Sequence, residues 1–149
     1  MISLLTFIQT GRLGEIGLGS SRTEVELSFG PPDAWDARFS WPRARIWKYG
    51  DFEFHFDYER LWLIFTDAFD GALNMGQLPF DSWKIRSGVT QAEVANWLEE
   101  EGVAFQKGWG MVPINNDEGS HWILSSQGQV TLRFDEHATR ERLTSLWRR

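Results

Sequence analysis

Cysteine is absent from all 149 residues, which excludes thiolate metal sites, disulfide frameworks and cysteine nucleophiles together. Histidine is scarce: His55, His121 and His137 are the three copies. No HxH, HxxxH or HExxH spacing occurs among them, so the local zinc signatures are missing as well. Basic charge is in deficit, with 15 Lys and Arg against 21 Asp and Glu and a net charge of −6. That balance argues against a nucleic-acid backbone as partner. Nothing approaches the roughly 18 consecutive apolar residues of a membrane helix. The opening "MISLLTFIQTGRLG" carries no positive leader, and Thr6 and Gln9 interrupt its apolar run. It predicts a short amphipathic helix ended by Gly11, not a secretory signal. Serine elbows and phosphate loops are missing too; "GRLGEIGLG" lacks the Lys-Ser/Thr such a loop needs. The expectation is a soluble, cytoplasmic, non-catalytic chain that holds no cofactor and no metal and meets neither nucleic acid nor membrane.

What is present is apolar and aromatic: 42% of residues are hydrophobic, and nine are Trp. That is core material, and it argues for a folded chain and against disorder. Two stretches resemble each other. In "GSSRTEVELSFGPP", Ser21 and Glu24 fit a capping box, in which the hydroxyl accepts from the third helical N–H and the Glu reaches back to the cap. Thr90 and Glu93 stand in the same relation 69 residues later, with Val94 for Val25 and Leu98 for Phe29. Gly30 and Gly102 are placed to end the two helices.

Downstream, Phe56-Asp57 matches Phe134-Asp135, and Glu59-Arg60-Leu61 matches Glu141-Arg142-Leu143. Helix, strand and turn matches in one order indicate an internal repeat. "FEFHFD" alternates as a strand with one buried face does. Gly50-Asp51 and Gln127-Gly128 read as two-residue hairpin turns. Long loops are expected around residues 33–42 and 107–119. The expected organisation is a first α-β unit at 1–66, a linker at 67–82 and a second unit at 83–149, packed as one body. The fold class is α+β: two tandem helix-plus-antiparallel-meander units forming one curved sheet, with helices on one face.

Gly19, Ser21, Glu24, Val25, Phe29, Gly30 and Pro32 resemble the motif of the beta-lactamase inhibitor protein fold, and are similar to that of the SmpA/OmlA lipoproteins. Gly88, Thr90, Glu93, Val94 and Leu98 repeat it, without the final proline. Two copies in one chain are closer to the inhibitor. The inhibitor's disulfides and the lipoproteins' lipidated cysteine have no counterpart here, so the resemblance implies a fold of helix-plus-meander units. A weaker similarity is to bacterial immunity-type proteins, which protect a cell from a toxin.

Hairpin register assigns side chains to faces, because directly opposed residues share one. From a Gly50-Asp51 turn, Tyr49 opposes Phe52 and Trp47 opposes Phe54. Across the next turn Phe56 should oppose Leu61, Phe54 Leu63, and Phe52 Phe65, all facing inward. Ile46, Lys48, Glu53, His55, Trp62 and Ile64 are then outward. The same reasoning sends Ile123, Val130, Leu132 and Phe134 inward, and Trp122, Leu124, Thr131, Arg133, Thr144 and Leu146 outward. An outward face of Trp62, Ile64, Trp122 and Leu124 among Ile46, Lys48, Glu53, His55 and Arg133 has the composition of an interface centre.

Three function classes follow. The first is a protein-binding inhibitor or immunity-type module whose partner is another protein, such as a basic toxin or enzyme. The second is a small-molecule-binding or enzymatic domain with a pocket near His55, and the third is a structural subunit of an assembly. A homodimer is a further way to cover the face, and so is the linker, through Phe69, Leu73, Met75, Leu78, Phe80 and Trp83.

Overall fold

A computed structural model describes residues 1–110, 121–137 and 140–149, with the side chains of all of these except 110, 121, 136, 137 and 140. In chain order the elements are β1 (Ile2–Ser3), α1 (Leu4–Thr10), α2 (Arg22–Phe29), β2 (Ala34–Trp35), β3 (Ile46–Tyr49), β4 (Phe52–Asp57) and β5 (Arg60–Thr66). Then come β6 (Phe80–Asp81), α3 (Gln91–Glu100), β7 (Phe105–Gly110), β8 (His121–Ser126), β9 (Thr131–His137) and β10 (Arg140–Arg148). A single 3-10 turn, Trp41–Arg43, lies between β2 and β3.

The protein is α+β; its described residues form three helices and one large antiparallel sheet of order β2-β3-β4-β5-β10-β9-β8-β7. Strands β1 and β6 form a separate parallel pair. No helix among the described residues is long and apolar enough to cross a membrane. The predicted loop at 33–42 contains β2 and the 3-10 turn, while Lys107 lies inside β7. The remainder of the second predicted loop, 111–119, is outside the described residues.

The helix starts follow from their caps. Ser21 Oγ accepts from Glu24 N at 3.1 Å while Glu24 Oε2 accepts from Ser21 N at 2.7 Å, a complete capping box. Thr90 Oγ1 accepts from Glu93 N in the same way at 3.2 Å. α1 ends at Gly11, whose φ of 74° gives the left-handed cap that a Cβ would disfavour. Each capped start is also stitched to a strand: Leu61 N donates to Ser20 O at 2.9 Å, and Leu143 N donates to Val89 O at 2.9 Å.

The core lies between the helices and one sheet face. Trp47, Tyr49, Phe52, Phe54, Phe56 and Leu61 meet Val25 and Phe29; on the other side Leu124, Leu132, Phe134 and Leu143 join Val94 and Leu98 in the same cluster. The Phe29 ring stands edge-on to Tyr49 at 5.4 Å and to Phe54 at 5.7 Å. Full burial of one such side chain stabilises by about 1.5–3 kcal/mol. The linker adds to this same side. Leu73 and Met75 are buried, and Phe80 packs edge-on to the inward Phe52 at 5.3 Å.

Among the described residues one charged side chain, that of Arg22, enters the core. Arg22 donates to Tyr58 O at 2.7 Å, Pro42 O at 3.2 Å and Ala44 O at 2.6 Å. Its guanidinium carbon lies 4.7 Å from the Phe56 ring centre and 5.5 Å from that of Trp47. Burial lowers its pKa from the ordinary value, against the opposing pull of Glu59. The planar fork satisfies three carbonyls that the turn before β3 and the β4–β5 turn would otherwise leave short of donors.

Two departures from the expected register reverse part of the face assignment. The first hairpin is as reasoned, Tyr49 opposite Phe52 and Trp47 opposite Phe54. Phe56 opposes Leu61, but His55 then opposes Leu63 and Phe54 opposes Ile64, with Trp62 the extra residue of a β-bulge. A bulge places two neighbours on one face, so Trp62 and Leu63 both point outward and Ile64 turns in, fully buried. Phe65 consequently faces outward, opposite Glu53.

In the second half the β8–β9 turn has three residues, since Ser126 N donates to Val130 O. Gln129 takes the positive φ, 58°, that Gly128 was expected to supply, as a three-residue hairpin loop requires. Leu124 therefore opposes Leu132, and Trp122 opposes Phe134. Gly128 has a different role: a Cβ there would lie 2.6 Å from both Gly11 N and Ile8 O. It lets the end of α1 approach the turn, where Ser126 Oγ donates to Ile8 O at 2.5 Å.

Candidate functional site

The sheet face turned away from the helices can be read strand by strand. One row crosses all eight strands as Ala34, Lys48, Glu53, Phe65, Trp147, Thr131, Ser125 and Gln106, each opposite the next. Its centre is apolar where β5 meets β10, because Phe65 and Trp147 are direct cross-strand partners. The bulge adds Trp62, 48% exposed, and half-buried Leu63 beside them. An exposed indole held on a strand by a bulge is costly to leave in water unless something covers it.

Of the residues expected on this face, Ile46, Lys48, Glu53, His55, Trp62 and Arg133 lie on it. Ile64 and Leu124 do not: both are 0% exposed in the core. Trp122 also belongs to the helix side, where it shares a face with Phe134 and packs against the core, its ring 6.4 Å from that of Trp109. Leu146 is inward and buried, whereas Ile123, expected inward, stands outward opposite Arg133. The linker residues Leu73, Met75 and Phe80 serve the core and leave this face uncovered among the described residues.

Thr144 lies on the outer face as expected, and Leu63, Phe65, Trp147 and Asp135, which the sequence pattern does not place there, complete the site. "WLIF" in β5 is uniformly apolar, so alternation carried no information about which residue the bulge would displace. A second bulge in β10 falls between Leu143 and Ser145, turning Thr144 outward as the first turns Trp62.

Polar groups rim the aromatic centre in fixed pairs. His55 Nε2 lies 2.8 Å from Glu53 Oε2, and the His55 ring is edge-on to Trp62 at 6.0 Å. Arg133 Nε donates to Asp135 Oδ1 at 2.9 Å, and Thr144 Oγ1 donates to Asp135 Oδ2 at 2.8 Å. These pairs fix the polar side chains beside the aromatic centre, and Trp62 stays 48% exposed.

Two recesses open here. A groove of about 600 Å³ along the β5–β10 seam is lined by Trp62, Leu63, Phe65, Asp67, Arg133, Asp135, Thr144, Ser145, Trp147 and Arg149. A shallower recess of about 370 Å³ lies between Arg45, Ile46, His55, Phe56, Asp57 and Trp62. A larger depression, about 880 Å³, lies at the start of α3 among Asp67, Phe69, Asp70, Arg86, Glu93 and Arg142. Its lining is mostly charged and polar, and its aromatic residue, Phe69, packs against the core, so the seam, with exposed Trp62, is the better candidate for a binding surface.

Chemically, the His55–Glu53 pair has no serine or threonine hydroxyl bonded to it among the described residues. Among the described residues no group of three or more His, Cys, Asp or Glu side chains is arranged to hold a metal ion. The arrangement is suited to burial against an apolar surface with polar fixation at the rim. No protein-family model matches this chain, and searches of curated proteins and of solved structures likewise return no match.

Proposed function

We propose that the chain is a non-catalytic protein-binding module, of the inhibitor or immunity type, acting in the cytoplasm and engaging another protein through the helix-free face of its sheet. The observation that carries this reading is the exposed Trp62 held outward by a β-bulge beside Leu63, Phe65 and Trp147. Aromatic anchors ringed by paired polar groups are what binding hot spots are made of. The net charge of −6 suits a basic partner, a toxin or an enzyme.

We also read the chain as two tandem units, 1–66 and 83–149, joined by the linker 67–82. The strand order, running outward on both sides of the β5–β10 seam, supports this. So do the matched caps at Ser21 and Thr90, the matched bonds from Leu61 and Leu143, and a bulge at each equivalent place. On this reading the seam is where the two units present equivalent bulged strands together, and the aromatic groove is a product of the pairing.

A second reading is a small-molecule or enzymatic site at the recess beside His55, favoured by the 2.8 Å His55–Glu53 pair at its wall. The two readings separate on one pair of variants. Under the first, Trp147→Ala and Trp62→Ala each weaken binding of the partner protein by about 2 kcal/mol, roughly 30-fold in Kd, and His55→Ala has a minor effect. Under the second, His55→Ala abolishes ligand binding or turnover, while Trp147→Ala leaves it intact. Retention of full partner affinity by both Trp variants would overturn the proposal.

A further inference from the structure

The two ends of the sheet are built differently. On one side the outermost strand, β2, is two residues long and follows Pro31 and Pro32. A short edge beside prolines resists strand addition. On the other side β7 is six residues, Phe105–Gly110, with no proline and no bulge against β8. Among the described residues nothing pairs with its outer side.

The open hydrogen-bonding groups of β7 can be identified. Gln127 N donates to Ala104 O, and 104 and 127 continue the Phe105–Ser126 register. Antiparallel pairs alternate between hydrogen-bonded and non-hydrogen-bonded, so Gln106, Gly108 and Gly110 direct their N–H and C=O groups to β8. Lys107 and Trp109 direct theirs to the open side. Both side chains are exposed, Trp109 by 56%, and both lie on the helix side of the sheet.

We propose that a second copy of this chain pairs antiparallel with β7 about a two-fold axis through Gly108, continuing the sheet across the dimer. In that register Lys107 faces Trp109 of the second copy, and Trp109 faces its Lys107. Each such pair exchanges two backbone hydrogen bonds and sets an ammonium against an indole, a favourable cation–π contact. Gly108 meets its own counterpart in the close, non-hydrogen-bonded position, where two glycines leave the approach free. Shifting the axis by one residue to Lys107 places two ammonium groups directly opposite, which is repulsive. The strand is thus self-complementary in the Gly108 register, as an isologous interface requires.

The absence of cysteine gives a clean test. Gly108→Cys introduces one thiol per chain at the axis, where the expected Cα separation of about 4.5 Å suits a disulfide. The new Cβ meets nothing nearer than Ile123 Cβ at 4.0 Å. Mild oxidation is expected to convert Gly108→Cys to a covalent dimer and to leave Lys107→Cys and Gln106→Cys monomeric. Light scattering of the unmodified protein should give twice the 17.3 kDa chain mass at high concentration. Lys107→Pro, which loses only an outward N–H, should return it to one chain mass with its melting temperature retained. A monomer at every concentration, or cross-linking at 107 in preference to 108, overturns the proposal.

Discussion

Replacing Leu124 and Ile123 in turn by alanine tests the face assignment of the second half, which decides what the outer surface is made of. Leu124 is 0% exposed, opposite the equally buried Leu132. Leu124→Ala removes its terminal carbons from the core cluster and leaves a cavity among rigid neighbours, at a cost of about 3 kcal/mol within the usual range of 2–5. Ile123 is half-buried on the helix-free face opposite Arg133. Its truncation costs about 1 kcal/mol or less, as for other partly exposed positions. In a domain of this size 1 kcal/mol moves the melting temperature by about 2–4 °C. Leu124→Ala should therefore melt about 6–12 °C below the parent, and Ile123→Ala within about 4 °C. Urea unfolding followed by tryptophan fluorescence gives the free energies directly, and an unchanged slope shows that the states compared are the same. If Ile123→Ala were the more damaging, the β8–β9 turn would have two residues and the outward face would carry Leu124.

Gly128→Ala forces a Cβ to within 2.6 Å of backbone atoms of Ile8 and Gly11; overpacking should cost about 1–3 kcal/mol, readable as a lower urea midpoint, while Gly108→Ala is near neutral. Arg22→Ala leaves Pro42, Ala44 and Tyr58 carbonyls without their donor and should cost about 2–3 kcal/mol; Arg22→Lys, lacking the planar fork, restores only part of it. Tyr49 Oη donates to Gly30 O at 2.8 Å, and burial, helped by Glu26 and Asp33, raises its pKa above the ordinary phenol value. Because the folded state holds that proton more tightly, its stabilisation is complete below the unfolded pKa of about 10 and is lost as pH rises through the folded value. Tyr49→Phe should cost about 1 kcal/mol at neutral pH and flatten that alkaline loss in a pH series of melting curves.

Much of the framework was legible because it is written in local chemistry. Ser21 with Glu24 and Thr90 with Glu93 announce helix starts, Gly11 announces a stop, and "FEFHFD" alternates because one side of β4 is buried. Gly50-Asp51 set the first hairpin register. The site was legible in part, and its errors have two physical sources. A bulge at Trp62 has no marker inside a run of five apolar residues, Leu61 to Phe65, and it exchanges Ile64 for Leu63 and Phe65 on the outer face. In the β8–β9 turn, a glycine was read as supplying positive φ when it supplies room for α1, and Gln129 takes the strained angle instead. One added turn residue moves Trp122 and Leu124 to the other side of the sheet. Trp62 survives both errors because it precedes the shift. Arg22 was missed because a lone arginine in a first helical turn looks the same whether it faces solvent or three carbonyls.

The central claim is that Trp62 is exposed for the sake of a protein partner and not for the fold. Its most direct test is the affinity of the partner for Trp62→Ala against that for the parent, measured beside the melting temperature of each. The account predicts a loss of about 2 kcal/mol in binding, roughly 30-fold in Kd, with the melting temperature lowered by no more than about 2–4 °C. An unchanged Kd together with a melting temperature lowered by ten degrees or more, on the order of a 3–5 kcal/mol loss of stability, would mean that Trp62 serves the fold, and would contradict the account.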